Sequence, residues 1–216
     1  MNLRSTSLVV SGLLLLLPPT APAQGTIYVS NLGAASAGSL AVGSDSWRAG
    51  WFRAGTNSDG YTLNSVQLAL TGASGTPAGF RVMIYDSHFI VLLPRTNIAN
   101  LAGSLDPVSS GVYTYTASSS VTLLPNMGYF IVITSDNSVS SGSFNWSYGN
   151  TPTVLRSDGW GIGAGAFYSN NGLSWMGSGN YLQFAVNATV IPEPSSWALA
   201  GVGALLFAAS YRRGQL

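Results

Sequence analysis

Cysteine is absent from this 216-residue chain, which excludes structural disulfides, thiolate metal sites and cysteine nucleophiles. Lysine is absent too, so all eight basic residues are arginines. There is one histidine, His88, and one glutamate, Glu193. Charged residues make up 7% of the chain, against about 25% in an average soluble domain, so solubility rests on Ser, Thr, Asn and Gly. Between Gln24 and Val190 five arginines meet six aspartates, one negative charge in net. Such a surface supplies no run of phosphate contacts, and nucleic-acid and polybasic lipid binding are excluded. Without disulfides the domain must be held by its apolar core alone, which a segment of this length can build.

What is present is concentrated first at the two ends. Arg4 precedes an unbroken apolar run from Leu8 to Leu17, and Ala21-Pro22-Ala23 offers small residues before Gln24. This is the layout of a secretory signal peptide over residues 1–23, cut between Ala23 and Gln24. A second apolar run, Trp197 to Tyr211, is followed by Arg212-Arg213. Fifteen helical residues reach about 22 Å, short of a hydrocarbon core of about 30 Å, and insert with thinning and arginine snorkelling. Trp197 suits the interface, and the two arginines favour a cytoplasmic end. The expectation is a single C-terminal membrane helix with the main domain outside.

Just before that run stands Val190-Ile191-Pro192-Glu193-Pro194-Ser195-Ser196. A Pro-Glu-Pro motif, a short apolar helix and terminal arginines, paired with a signal peptide, resemble the PEP-CTERM sorting signal of Gram-negative bacteria. The tail departs from the usual pattern in ending on Gly214-Gln215-Leu216. The resemblance implies an exosortase-like membrane enzyme as partner, reading Pro192, Glu193 and Pro194. It also implies transient residence in the inner membrane, then the cell-envelope surface or an extracellular matrix rich in exopolysaccharide. The chain then divides into 1–23 (signal peptide), 24–190 (surface domain) and 191–216 (sorting signal).

The middle segment alternates with period two between turn residues, the pattern of strands rather than helices. Strands are predicted at Ile27–Leu32, Trp47–Ala54, Tyr61–Leu70, Phe80–Tyr85, Val112–Thr116, Val121–Leu124, Tyr129–Thr134, Phe144–Tyr148, Phe167–Ser169 and Tyr181–Thr189. Asp59-Gly60, Asp158-Gly159 and Asn171-Gly172 suit turn positions of positive φ, the last between Phe167–Ser169 and Leu173–Met176 as a hairpin. Weak helical potential lies only around Thr96 to Ala102. The expected fold is all-β, a two-sheet antiparallel sandwich of jelly-roll type. Val29-Ser30-Asn31-Leu32-Gly33, Gly60-Tyr61-Thr62-Leu63-Asn64-Ser65-Val66, Val112-Tyr113-Thr114-Tyr115 and Leu124-Pro125 before Tyr129 resemble the choice-of-anchor domains of R type. That likeness implies a fold and an anchored life, not a chemistry.

Catalytic signals are sparse. His88 sits in Asp86-Ser87-His88-Phe89 with no nucleophile elbow, so a loop histidine is the simpler reading. One histidine without cysteine makes no zinc site, and no Asp-x-Asp-x-Asp ladder marks calcium. The aspartates neighbour turn-forming residues, and the only glutamate belongs to the sorting motif. No enzymatic activity, metal or cofactor is expected. The aromatic-rich C-terminal third is the remaining candidate. Trp146, Trp160 and Trp175, interleaved with Asn145, Asn150, Asp158, Asn170 and Asn171, could stack on sugar faces while amides bond hydroxyls. The competing explanation is that these rings fill a β core. The primary expectation is therefore an exported, exosortase-processed surface protein, and the alternative a lectin-like carbohydrate-binding module.

Overall fold

A computed structural model describes residues 25–87, 92–152 and 155–192, apart from the side chain of residue 164. Ala21, Ala23 and Gln24, expected to flank a signal-peptide cut, His88, and Glu193, Pro194, Trp197, Arg212 and Arg213 of the expected sorting signal lie outside the described residues.

The described chain is all β. Its strands are β1 (Thr26–Ser30), β2 (Ser36–Val42), β3 (Trp47–Arg53), β4 (Tyr61–Gly75), β5 (Arg81–Ser87), β6 (Pro94–Ala102) and β7 (Gly111–Leu123). They continue with β8 (Gly128–Thr134), β9 (Gly142–Gly149), β10 (Leu155–Arg156), β11 (Gly161–Ser169), β12 (Met176–Gly177), β13 (Tyr181–Leu182) and β14 (Phe184–Val190). The pairings are antiparallel and join all fourteen in one sheet, ordered β10-β1-β14-β4-β7-β6-β5-β8-β3-β11-β12, with β9 bonded to β4, β2 and β13. The ladders thus do not divide into the two separate sheets expected from the strand spacing. The long strand β4 is the reason: its first part pairs with β14 and β7, its last part with β9, so one backbone carries the sheet around a corner.

Strand β4 also shows how sequence sets which face is buried. Tyr61 and Leu63 are buried, and so are Val66, Leu68 and Leu70. Odd and even positions should face opposite ways, but the register shifts between Leu63 and Ser65. A bulge flips the phase and turns both apolar sets inward. They meet Phe52, Val82, Ile84, Ile131, Ile133, Phe144, Trp146, Phe184 and Val186 in one core.

The segment Thr96 to Ala102, where the sequence hints at helix, is strand β6, bonded along β5 and, at Leu101 and Ala102, to β7. Ile98 and Leu101 have the i, i+3 spacing of a helix face, yet Ile98 is exposed and Leu101 buried. Val112–Thr116 and Val121–Leu123 belong to a single strand, β7, whose register shifts opposite the bulge in β4, and Leu124 lies just past its end. The turn glycines Gly60, Gly159 and Gly172 all have positive φ, and β11 and β12 form a hairpin around Asn171-Gly172 whose second arm is Met176–Gly177 rather than the expected Leu173–Met176.

Candidate functional site at the chain exit

The three tryptophans proposed for sugar stacking are core residues. Trp146 is fully buried and its Nε1 donates to the carbonyl of Gln183 at 2.9 Å. Trp160 lies parallel to Tyr28 (centroids 5.1 Å, 13°) and Phe52 (6.2 Å, 7°), with Tyr61 edge-on at 4.9 Å. Trp175 packs with Ala49, Met83, Phe130 and Val132 on the outer face of the sheet. Buried rings offer no face to a sugar, so Trp146, Trp160 and Trp175 do not form the carbohydrate site anticipated for them. Alternation and neighbouring amides are compatible with either role, and burial decides between them.

The structure instead gathers unassigned polar groups where the last strand leaves the domain. β14 lies between β1 and β4, and its final residue, Val190, pairs with Tyr61 at the start of β4. The chain then runs past the tight turn Asn57–Gly60, closed by Gly60 N–H donating to the Asn57 carbonyl at 3.0 Å. Gly60 holds φ +82°, and a Cβ there would meet the Leu123 carbonyl oxygen at 2.5 Å, so the turn requires glycine. The Gly60 carbonyl in turn accepts from the backbone N–H of Ile191 at 3.1 Å. The Asn57 amide, Nδ2, donates to both the Gly60 carbonyl (2.7 Å) and the Ile191 carbonyl (3.1 Å). Tyr61 Oη accepts from the Asn57 backbone N–H at 3.3 Å, so Asn57 is fixed from both sides. Ile191 is half-buried, while Pro192 is exposed.

Beside this exit the same loop reaches a second turn. Thr56 donates its backbone N–H to the Asp158 carbonyl at 3.0 Å. Asp158 itself has φ 49°, a conformation that Asp tolerates better than most residues. An open cleft of about 320 Å³ lies here, lined by Arg53, Arg156, Ser157, Asp158, Gly159 and Trp160. Arg53 is oriented by its Nε donating to the Gly159 carbonyl at 3.2 Å. Among the described residues, Arg81 and Arg95 form ion pairs with Asp136 and Asp86, whereas Arg53 and Arg156 form none. The indole Nε1 of Trp160 and Oδ2 of Asp59 are buried without hydrogen-bond partners. Tyr28, flanking Trp160, has its hydroxyl pKa raised, first by burial and then by Tyr61 and Asp158. Two guanidiniums against one carboxylate give this cleft an excess of positive charge.

Neither group was identifiable as a site from sequence. The pattern Asn57-x-x-Gly60 signals a turn but not the partner 134 residues away, and Arg53 and Arg156 are brought together only by folding. Among the described residues, no three His, Cys, Asp or Glu side chains cluster to hold a metal. Nor is any described helix long and apolar enough to cross a membrane.

Residues 190–213 match the family model of the PEP-CTERM protein-sorting motif. No curated protein matches the chain. The Pro192-Glu193-Pro194 stretch and the apolar run that follows lie within this matched span, which begins on the last residue of β14.

Proposed function

We propose that this chain is an exported surface or extracellular-matrix protein, delivered by a signal peptide and processed by an exosortase-like membrane enzyme at its C-terminal motif. The observation that carries this reading is the motif match at 190–213, placed immediately after an all-β domain. In the reading, residues 24–190 are the retained surface domain, a sandwich-like shell with no catalysis of its own. Its carboxylates support that view: Asp86 and Asp136 are engaged by Arg95 and Arg81, and Asp45 accepts from the Val139 backbone at 2.9 Å. Residues 191–216 hold the precursor in the inner membrane until Pro192-Glu193-Pro194 is read, with Trp197, Arg212 and Arg213 fixing the helix at its two interfaces.

The two prolines keep the motif extended and out of either neighbouring element, so Glu193 is free to be recognised. Glu193→Ala should leave export intact and block maturation. On an immunoblot from the native host, precursor cut only at the signal peptide should accumulate in the inner membrane. A mutant with the mature size and distribution of the wild type would reduce the tail to a plain anchor.

Association with extracellular polysaccharide is the second element of the proposal, supported by the Arg53–Arg156 cleft rather than by tryptophan. Guanidiniums without carboxylate partners suit the carboxylates or phosphates of an acidic polysaccharide. Such contacts are exposed and screened by salt, so binding should be weak and multivalent. Wild type should co-sediment with an acidic polysaccharide at low ionic strength, and the double substitution Arg53→Ala/Arg156→Ala should reduce this severalfold. Equal retention of both forms, or retention indifferent to salt, would remove the cleft from the proposal.

A further inference from the structure

The sorting motif and the folded domain overlap. The matched motif begins at Val190, yet Val190 is in the β14 ladder and Ile191 is still held by the Asn57–Gly60 turn. No free linker separates the domain from the motif. Pro192 then ends the attachment, since it has no N–H to donate, and it restricts Ile191 to an extended backbone compatible with the ladder. From Pro192, the four residues Glu193 to Ser196 precede the apolar run at Trp197. Five extended residue steps span at most roughly 17 Å. The exit turn therefore limits how far the domain can stand from the start of that run.

The side chain of Asn57 does more than shape its own turn. Gly60 N–H closes the turn onto the Asn57 carbonyl without it, and the amide uses its second hydrogen on the carbonyl of Ile191. The donor is thus aimed at the motif's own backbone. Without this grip, Val190 and Ile191 could peel from the edge of the turn and lengthen the tether by about 7 Å.

We infer that the Asn57–Gly60 turn is a positioning device for processing: it clamps the first residues of the sorting motif to the folded domain and presents Pro192-Glu193-Pro194 at a fixed stand-off. Asn57 is a positioning residue in this scheme, acting through Ile191 and touching no reacting atom. The inference rests on the exosortase reading proposed above. It couples the two modules, because a domain that has not formed β4 and its preceding turn cannot hold the motif in place.

The test uses the full-length chain in its native host, following precursor and mature forms by pulse-chase. Three variants are compared with wild type: Asn57→Ala, an insertion of Gly-Ser-Gly between Ile191 and Pro192, and Glu193→Ala. The insertion keeps every hydrogen bond of the domain and changes only the stand-off. Asn57→Ala and the insertion should each slow loss of precursor by about threefold or more, as positional errors at a reacting centre do, with signal-peptide removal unchanged. Protease resistance of the domain reports folding of the Asn57 variant. Wild-type processing in both variants would overturn the inference, as would faster processing, which would mean that the turn shields the motif. Slowing by Asn57→Ala alone, with the insertion processed normally, would also overturn it, because the effect would then come from domain stability. Normal maturation of Glu193→Ala would instead remove the sorting reading on which the inference stands.

Discussion

The two faces of the strands β3, β5 and β8 are covered in different ways. Their inner face contributes Phe52, Val82, Ile84, Ile131 and Ile133 to the main core. Their outer face carries Ala49, Met83, Phe130 and Val132, and is covered by a loop that lays Trp175 over it. Phe167 completes that cover, its ring edge-on to Phe130 at 5.3 Å and 88°. The consequence is visible in β8, where Tyr129 through Thr134 are all buried, as in strands covered on both sides. Over β6 and β7 no described residue makes such a cover, and Ile98 and Val112 are exposed. The inner core is assembled from long ladders. The outer cover depends on a loop whose shape is set by side-chain bonds: Asn171 Oδ1 accepts from the backbone N–H groups of Leu173 and Ser174, and Ser169 Oγ from that of Gly172. Tryptophan thus serves one sheet in two roles, as interior filling and as a lid.

The comparison is broken most directly by truncating one ring of each kind. Trp160→Ala removes a ring sandwiched between Tyr28 and Phe52, in surroundings fixed by three strands, and should destabilise the domain by about 3–5 kcal/mol. Trp175→Ala should cost less, about 1–2 kcal/mol, because the loop can settle onto the exposed strand face. Denaturant unfolding of the two variants gives the order directly. Equal losses would show that the outer cover is as integral to the domain as the inner core. For Trp175→Ala, hydrogen exchange should rise first in the 170–177 loop and the outer residues of β8, while β4 and β14 stay protected.

The smallest expected effect concerns an ion pair away from both cores. Asp86 on β5 accepts from the Arg95 side chain and from the Thr96 backbone N–H at 2.7 Å. The Arg95 hydrogen bond chiefly, with the Thr96 bond and the Arg95 charge, lowers the Asp86 pKa against a partial opposing effect of burial. A carboxyl whose folded pKa is depressed contributes stability above its unfolded value, near 3.9 or so, and loses it as pH falls through the folded value. The stability difference between wild type and Asp86→Asn should therefore be constant at neutral pH and shrink below about pH 4. Exposure of Arg95 to solvent screens the pair and keeps the whole effect small. A difference that persists unchanged at pH 2 would assign the stabilisation to uncharged hydrogen bonding at this position.

Much of this architecture was legible in the residues. Alternation in Tyr61–Leu70 and Tyr129–Thr134 marked two of the central strands, and glycine after Asp or Asn marked the turns, whereas Tyr181–Thr189, expected as one strand, divides into β13 on β9 and β14 on β4. β2 was not, since Ser-Ala-Gly-Ser-Leu-Ala-Val has little apolar contrast, and its identity comes from pairing with β9. The joining of the strands into one curled sheet depends on where β4 changes partners, a long-range fact that its local pattern does not contain. The site was legible in half. Pro192-Glu193-Pro194 is a linear signal and needs no fold to be read. Asn57, Gly60, Arg53 and Arg156 become a neighbourhood only once β14 is seated, and the tryptophans, which advertise themselves in sequence, turned out to face inward.

The central position of β14 has a consequence for timing. β1 takes β14 as a partner, and Asn31, just after β1, exchanges bonds with Phe184 over 153 residues. A chain emerging N-terminus first from a ribosome or a membrane pore must carry β1 without that neighbour until nearly all of the domain has followed. Sheets built from such distant pairings close slowly. In this chain the closing strand is followed almost at once by the apolar run that begins at Trp197. Seating of the closing strand and arrival of that run therefore fall within a few residues of each other along the chain.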